Sequence, residues 1–167
     1  MPLYEFEHAI ALTEPHKQAI AHGITEFHAI TFNAPRYIVN CRFIDISRGP
    51  LSDTFVGGKR RHTNRLFVTL RSGTGRTSDQ LHVLIDSVNS IWDNIVGGSG
   101  WESQLRGIYI KGSIDAAKEG GFHLPMPGYF EQWVKDNTSR FQSLAAEGDP
   151  DFIQLVDEVK TRPEFQI

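Results

Sequence analysis

The stretch TSDQLHVLIDSVNSIWDNIVGG (Thr77–Gly98) decides the architecture. Thr77 followed three residues later by Gln80 has the form of a capping box, in which each side chain takes up a backbone N–H of the other. Leu81, Leu84, Ile85, Val88, Ile91, Trp92 and Ile95 then fall on one helical stripe, and Gly97-Gly98 stops it. Segments of strand character flank this helix, Asn64 to Arg71 before it and Arg106 to Lys111 after it. Strand, helix and strand are written once more upstream. Leu3 to Glu7 alternates, with Tyr4 and Phe6 on one face. Thr13-Glu14-Pro15 opens a helix whose stripe is Ala19, Ile20, Gly23, Ile24, Phe27 and Ile30, stopping near Asn33-Ala34-Pro35. Arg36 to Ile46 alternates again, with Tyr37, Val39, Cys41 and Phe43 on one face. Two β-α-β units, the parallel strands of each joined by a right-handed crossover, predict an α/β (α+β) fold: a four-stranded mixed sheet with two helices on one face.

Around these units, Ser47 to Thr63 reads as a loop or hairpin. A short helical patch is expected at Ile114 to Lys118, then Leu124-Pro125-Met126-Pro127-Gly128 as punctuation. Two more helices are expected at Phe130 to Ala146 and Asp151 to Lys160, split by Gly148-Asp149-Pro150. The division is a domain of residues 1–128 and a helical extension, 129–167, packing on its own subunit or on a neighbour.

A chain of 167 residues, 40% hydrophobic and 22% charged, suits one soluble globular core. A net charge of −3 gives no general attraction to nucleic acid or acidic membranes, and the basic run Gly57 to His62 reads as a solvated loop. The single cysteine, Cys41, excludes an internal disulfide and fits a reducing compartment. No leader opens the chain and no apolar run approaches the ~20 residues of a membrane span, so the cytosol is expected. Seven histidines include no HExxH and no i, i+4 pair, so no metal site built on one helix is expected.

Chemistry is concentrated in a few residues. A small second residue favours removal of the initiator methionine, which would give Pro2 a secondary amine in place of an amide. An α-amino group titrates near pH 8 and can serve as base or proton donor; with Met1 retained, Pro2 is inert. Arg71 and Arg76 flank Ser72-Gly73-Thr74-Gly75 ahead of a helix start, either as a carboxylate cradle or as cations solvating a turn. The lysine of a phosphate loop is missing. His28 lies beside the first helical stripe, where a lone histidine is usually structural. Tyr109, between Ile108 and Ile110, faces away from both. Glu119 precedes Gly120-Gly121 and is expected at a helix end.

Taken together, these residues resemble the tautomerase superfamily, and within it the cis-3-chloroacrylic acid dehalogenase (cis-CaaD) group. The likeness rests on Pro2-Leu3-Tyr4, on Leu12-Thr13 with Pro15, on Ala19-Ile20-Ala21, and on Ile24 to His28. It continues through Phe55-Val56-Gly57-Gly58, Arg71, Gly75-Arg76, Tyr109, Glu119 and Leu124 to Gly128. The resemblance implies a MIF-like fold, a homotrimer, no cofactor, and a small unsaturated or enolic carboxylic acid as substrate. By resemblance, Pro2 would protonate the carbon beside the substrate carboxylate, while His28, Arg71 and Arg76 hold that carboxylate. Glu119, helped by Tyr109, would activate the attacking water. Rival readings are a keto–enol tautomerase with neutral Pro2 as base, a non-catalytic interaction protein keeping the fold, and decarboxylation of a β-keto acid.

Overall fold

A computed structural model describes residues 1–49, 52–72, 76–98 and 100–165. The Gly73-Thr74-Gly75 part of the expected arginine cradle lies outside the described residues. Strand β1 (Leu3–His8) is followed by helix α1 (Glu14–Thr31), a 3-10 turn (Arg36–Ile38) and strand β2 (Asn40–Asp45). A small hairpin, β3 (Phe55–Val56) and β4 (Lys59–Arg60), occupies the expected connection. Strand β5 (Asn64–Arg71), helix α2 (Ser78–Val96) and strand β6 (Leu105–Ile114) form the second unit.

The sheet order is β2-β1-β5-β6. Each β-α-β unit supplies one parallel pair, and the units join through the antiparallel pair β1–β5. Period-two burial drives this layer. Tyr4 and Phe6 from β1 and Leu66, Val68 and Leu70 from β5 are at most 1% exposed. They meet Ile20 and Ile24 of α1 and Leu84, Val88 and Trp92 of α2 in one core. Thr77 makes the full capping box at the start of α2, and Thr13 caps α1 by accepting from the His16 N–H.

Four expectations are corrected. Ile30 is 69% exposed, because it sits six residues beyond Ile24, on the far side of a 3.6-residue turn. The segment from Arg36 does not begin as a strand: the Val39 N–H bonds to the Arg36 carbonyl in a 3-10 turn, turning Tyr37 and Ile38 toward a second core. The helical patch at Ile114 to Lys118 is absent. Strand β6 continues instead, since Ile114 pairs with Arg71 and its carbonyl accepts from the Ser72 N–H and hydroxyl. A hairpin comes next, β7 (Lys118–Glu119) and β8 (Phe122–His123), so Glu119 lies on a strand and not at a helix end.

Helices α3 (Phe130–Ala146) and α4 (Pro150–Thr161), with a final 3-10 turn at Pro163–Phe165, fold back on the same chain. Phe130, Trp133, Val134, Phe141, Phe152, Leu155 and Phe165 build a second core against Ile38, Phe122 and Leu124. A buried ion network pins it. Glu158 accepts from Arg36 Nη1 (2.9 Å) and Arg162 Nη1 (2.8 Å), and Arg162 also donates to the carbonyls of Ala29 and Ala34 near the end of α1.

Candidate active site

Strand register brings the chemistry to one end of the sheet. Leu3 pairs with Thr69 in the antiparallel centre, so Pro2 and Met1 run on beside Leu70 and Arg71. Leu3 also pairs with Asn40, whose N–H donates to the Pro2 carbonyl (3.1 Å). Arg71 pairs with Ile114, and the hairpin carrying Glu119 begins four residues later. Three independent pairings thus deliver the amino terminus, the arginines and Glu119 to the same place.

A cavity of about 270 Å³ opens there, with Pro2, His28, Arg71 and Arg76 among its lining residues. Phe32, Ile38, Leu70 and Phe130 give it apolar walls. Arg71 is only 8% exposed, yet its Nε and Nη1 have no partner among the described residues. Its Nη2 makes just long contacts, 3.3 Å to the Leu124 carbonyl and 3.5 Å to Met126 Sδ. A buried guanidinium with two free donors is the form that a planar, two-oxygen anion fits. Arg76 donates to the Arg71 carbonyl (2.9 Å) and lies over the Phe32 ring, and burial lowers its pKa.

His28 is buried, and burial, reinforced by Arg76 and the terminal amine, pushes it down to about 3. The imidazole is therefore neutral, and its Nδ1 shares a 2.8 Å hydrogen bond with the Tyr4 hydroxyl, which holds the ring in place beside the cavity.

Met1 and Pro2 both line the cavity. Burial pushes the Met1 amine down to about 6; Glu119 opposes this, and Arg71 and Arg76 add to it. The terminal nitrogen thus feels the acid and both cations at once. Glu119 is half-buried outside the cavity lining, with Oε1 accepting from Asn40 Nδ2 (2.7 Å) and Oε2 without a partner among the described residues. Its pKa is raised by burial, against the Asn40 hydrogen bond and the amine.

Tyr109 is elsewhere. It is 52% exposed and stacks on Phe67 (5.2 Å) on the sheet face away from the helices. It pairs with Phe67, four residues short of Arg71, or roughly 13 Å along a strand rising ~3.3 Å per residue. Within one chain it does not join the other five. Asn40 and Tyr37 were missed by the sequence reading and stand beside Glu119 instead. Their only signal was position: each shortly follows Pro35, where chain direction changes. Among the described residues, no three His, Cys, Asp or Glu side chains gather as a metal site would need.

The family model Tautomerase_3, described as "Putative oxalocrotonate tautomerase enzyme", matches residues 1–138. The chain belongs to this tautomerase family. Its fold is shared with N1, a member of the cis-3-chloroacrylic acid dehalogenase (cis-CaaD) family, at 21% identity and a TM-score of 0.65 over 87% of this chain and 99% of that one. A fused 4-OT symmetric trimer aligns at 17% identity and a TM-score of 0.54, covering 72% and 94%. Macrophage migration inhibitory factor of Toxoplasma gondii aligns at 13% and 0.53, covering 73% and 99%. At these identities the likeness concerns the fold. No curated protein matches the chain in sequence. No helix among the described residues is long and apolar enough to cross a membrane.

Proposed function

We propose that this tautomerase-family chain is a cofactor-independent, cytoplasmic hydratase or dehalogenase of the cis-CaaD kind, acting on a small 3-substituted acrylate. The observation that carries the reading is a pair of buried, unpartnered groups of opposite sign, the Arg71 donors and Glu119 Oε2, both acting on the terminal amine. After removal of Met1, that amine belongs to Pro2. Arg71, Arg76 and His28 hold the substrate carboxylate and stabilise the enediolate that forms as water adds at C3. Glu119 takes the proton of that water, and the Pro2 ammonium gives one to C2. With a halide on C3, the product loses hydrogen halide and becomes an aldehyde acid.

A homotrimer fits the reading. The fused 4-OT neighbour is a trimer by its description, and Tyr109 lies on an exposed sheet face, from which only a neighbouring copy could bring it to a Pro2 site. Pro2→Ala, Arg76→Ala and Glu119→Gln should each abolish hydration of cis-3-chloroacrylate while circular dichroism stays unchanged. Full activity in any one of them overturns the assignment.

A second reading, keto–enol tautomerisation with neutral Pro2 as base, is favoured by the burial that holds the terminal amine low. The two differ in pH dependence. Hydration falls as pH rises through the amine pKa, whereas tautomerisation rises over the same interval.

A further inference from the structure

Two buried polar atoms in this part of the molecule have no hydrogen-bond partner among the described residues: Glu119 Oε2 and the Tyr37 hydroxyl. Leaving a buried hydroxyl and a carboxylate oxygen unpaired is costly, and such groups call for an explanation. The Tyr37 ring packs beside the turn that follows Glu119. A Cβ built on Gly120, the residue after Glu119, lies 3.8 Å from Tyr37 Cε2, a ring carbon next to the hydroxyl-bearing one. The Glu119 charge acts directly on the phenol. The Tyr37 ring is also clamped: it stacks on Trp133 (6.4 Å, 12° between planes) and leans on Phe152 (5.7 Å), residues of α3 and α4. The other groups that act on this corner are Asn40 on Glu119 Oε1, the terminal amine, and Asp151 at the start of α4.

We infer that the Tyr37 hydroxyl and Glu119 Oε2 clasp one water molecule, and that this water is the nucleophile of the hydration proposed above. The inference rests on that reading for the water's role and on the buried atoms for its place. A buried water needs at least two polar partners, which the phenol donor and the carboxylate acceptor supply. One lone pair of the water oxygen accepts the phenol O–H, which remains protonated throughout. The other forms the C–O bond at C3, while one water proton passes to Glu119 Oε2. The C2=C3 π electrons move toward the carboxylate, and C2 takes its proton from the Pro2 ammonium. Tyr37 is a positioning residue, and the tail helices are what aim it.

The test is Tyr37→Phe, which keeps the stacked ring, on protein lacking Met1. Glu119 is titrated by carbon-13 NMR of labelled glutamate, assigned with Glu119→Gln, and hydration of cis-3-chloroacrylate is followed across pH. Without the phenol the water loses its anchor, and Glu119 Oε2 loses the hydrogen bond the water donates, which should raise the Glu119 pKa by about one unit. The change should carry the acid limb of the kcat profile with it and lower kcat about 10- to 100-fold at unchanged KM. The melting temperature should hold or rise. An unmoved Glu119 titration overturns the clasp, even if the wild-type enzyme hydrates acrylates and the functional reading survives. A shifted titration in a protein that hydrates nothing supports the clasp and removes the hydratase reading.

Discussion

Replacing Arg71 by methionine separates a ligand-binding cation from a structural one. The side chain is 8% exposed and, among the described residues, makes only the two long Nη2 contacts and has two donors with no acceptor. For the folded chain alone, Arg71→Met removes a buried charge whose hydrogen bonding is incomplete and fills the space with an unbranched apolar stem. Stability should hold or rise, because an uncompensated buried charge costs more than its removal. For the ligand the sign is opposite. A carboxylate that takes up Nε and Nη1 gains two charge-assisted hydrogen bonds, each about 1.5–3 kcal/mol. Their loss amounts to about 3–6 kcal/mol, a fall of roughly 10²- to 10⁴-fold in kcat/KM. Thermal melting reads both halves. Acrylate at a hundredfold excess over its Kd stabilises the wild type by about 2.7 kcal/mol. In a chain of this size that is about 5–10 °C. Arg71→Met should melt no lower than wild type without ligand and show no such rise with it. A variant that melts several degrees lower and still responds to acrylate would make Arg71 a structural residue and refute the argument.

Acid stability should follow His28. Burial holds it at about 3 against an ordinary 6.5, so between those values the unfolded chain binds a proton that the folded chain refuses. Its contribution is therefore complete above pH 6.5 and is lost as pH falls, by about 3 kcal/mol between pH 7 and pH 4; urea unfolding of His28→Gln should show a flatter dependence. Glu158→Ala leaves Arg36 and the buried Arg162 facing each other without their shared carboxylate, at a cost of about 3–5 kcal/mol in chemical denaturation. An effect under 1 kcal/mol would mean the network is solvated. Gly120→Ala meets a φ of +52° and would place Cβ 2.7 Å from Phe152 Cζ. It should cost at least about 1–2 kcal/mol and displace Glu119, lowering hydration more than it lowers substrate binding.

What could be read from the sequence was whatever is encoded over one or two turns. The stripe and capping box of α2, the Thr13 cap of α1, and the alternation of β1 and β5 are local patterns, and each element stands where they put it. The breaks from Pro35 and after Ile114 were not legible, because tertiary contacts decide them. Tyr37 leaves the strand pattern to join aromatic rings more than ninety residues away, and β6 outruns its apolar segment because β5 offers it a partner. The cavity was legible only by resemblance: nothing local about Arg71 says that two of its donors end up buried and free. Tyr109 shows the same limit from the other side. Its alternation correctly turns it away from the core, and that orientation keeps it from the site in its own chain.

The topology explains why a doubled β-α-β pattern yields one asymmetric site. Strands β1 and β5 are equivalent in the repeat but run antiparallel, so the start of one lies beside the end of the other. The first unit brings to this corner the residues ahead of β1, a chain terminus able to carry a basic amine. The second brings the far end of β5, with Arg71 and the approach to α2 that carries Arg76. The symmetry-related corner, near His8 and Asn64, receives ordinary continuing backbone and is occupied by structural bonds: His8 Nδ1 pairs with the Ile10 carbonyl, and the Asn64 amide bonds Ala9, Glu102 and Gln104. The corner near His8 is therefore a latch, whereas the corner with the cavity lies under the tail, with Phe130 of α3 in its lining.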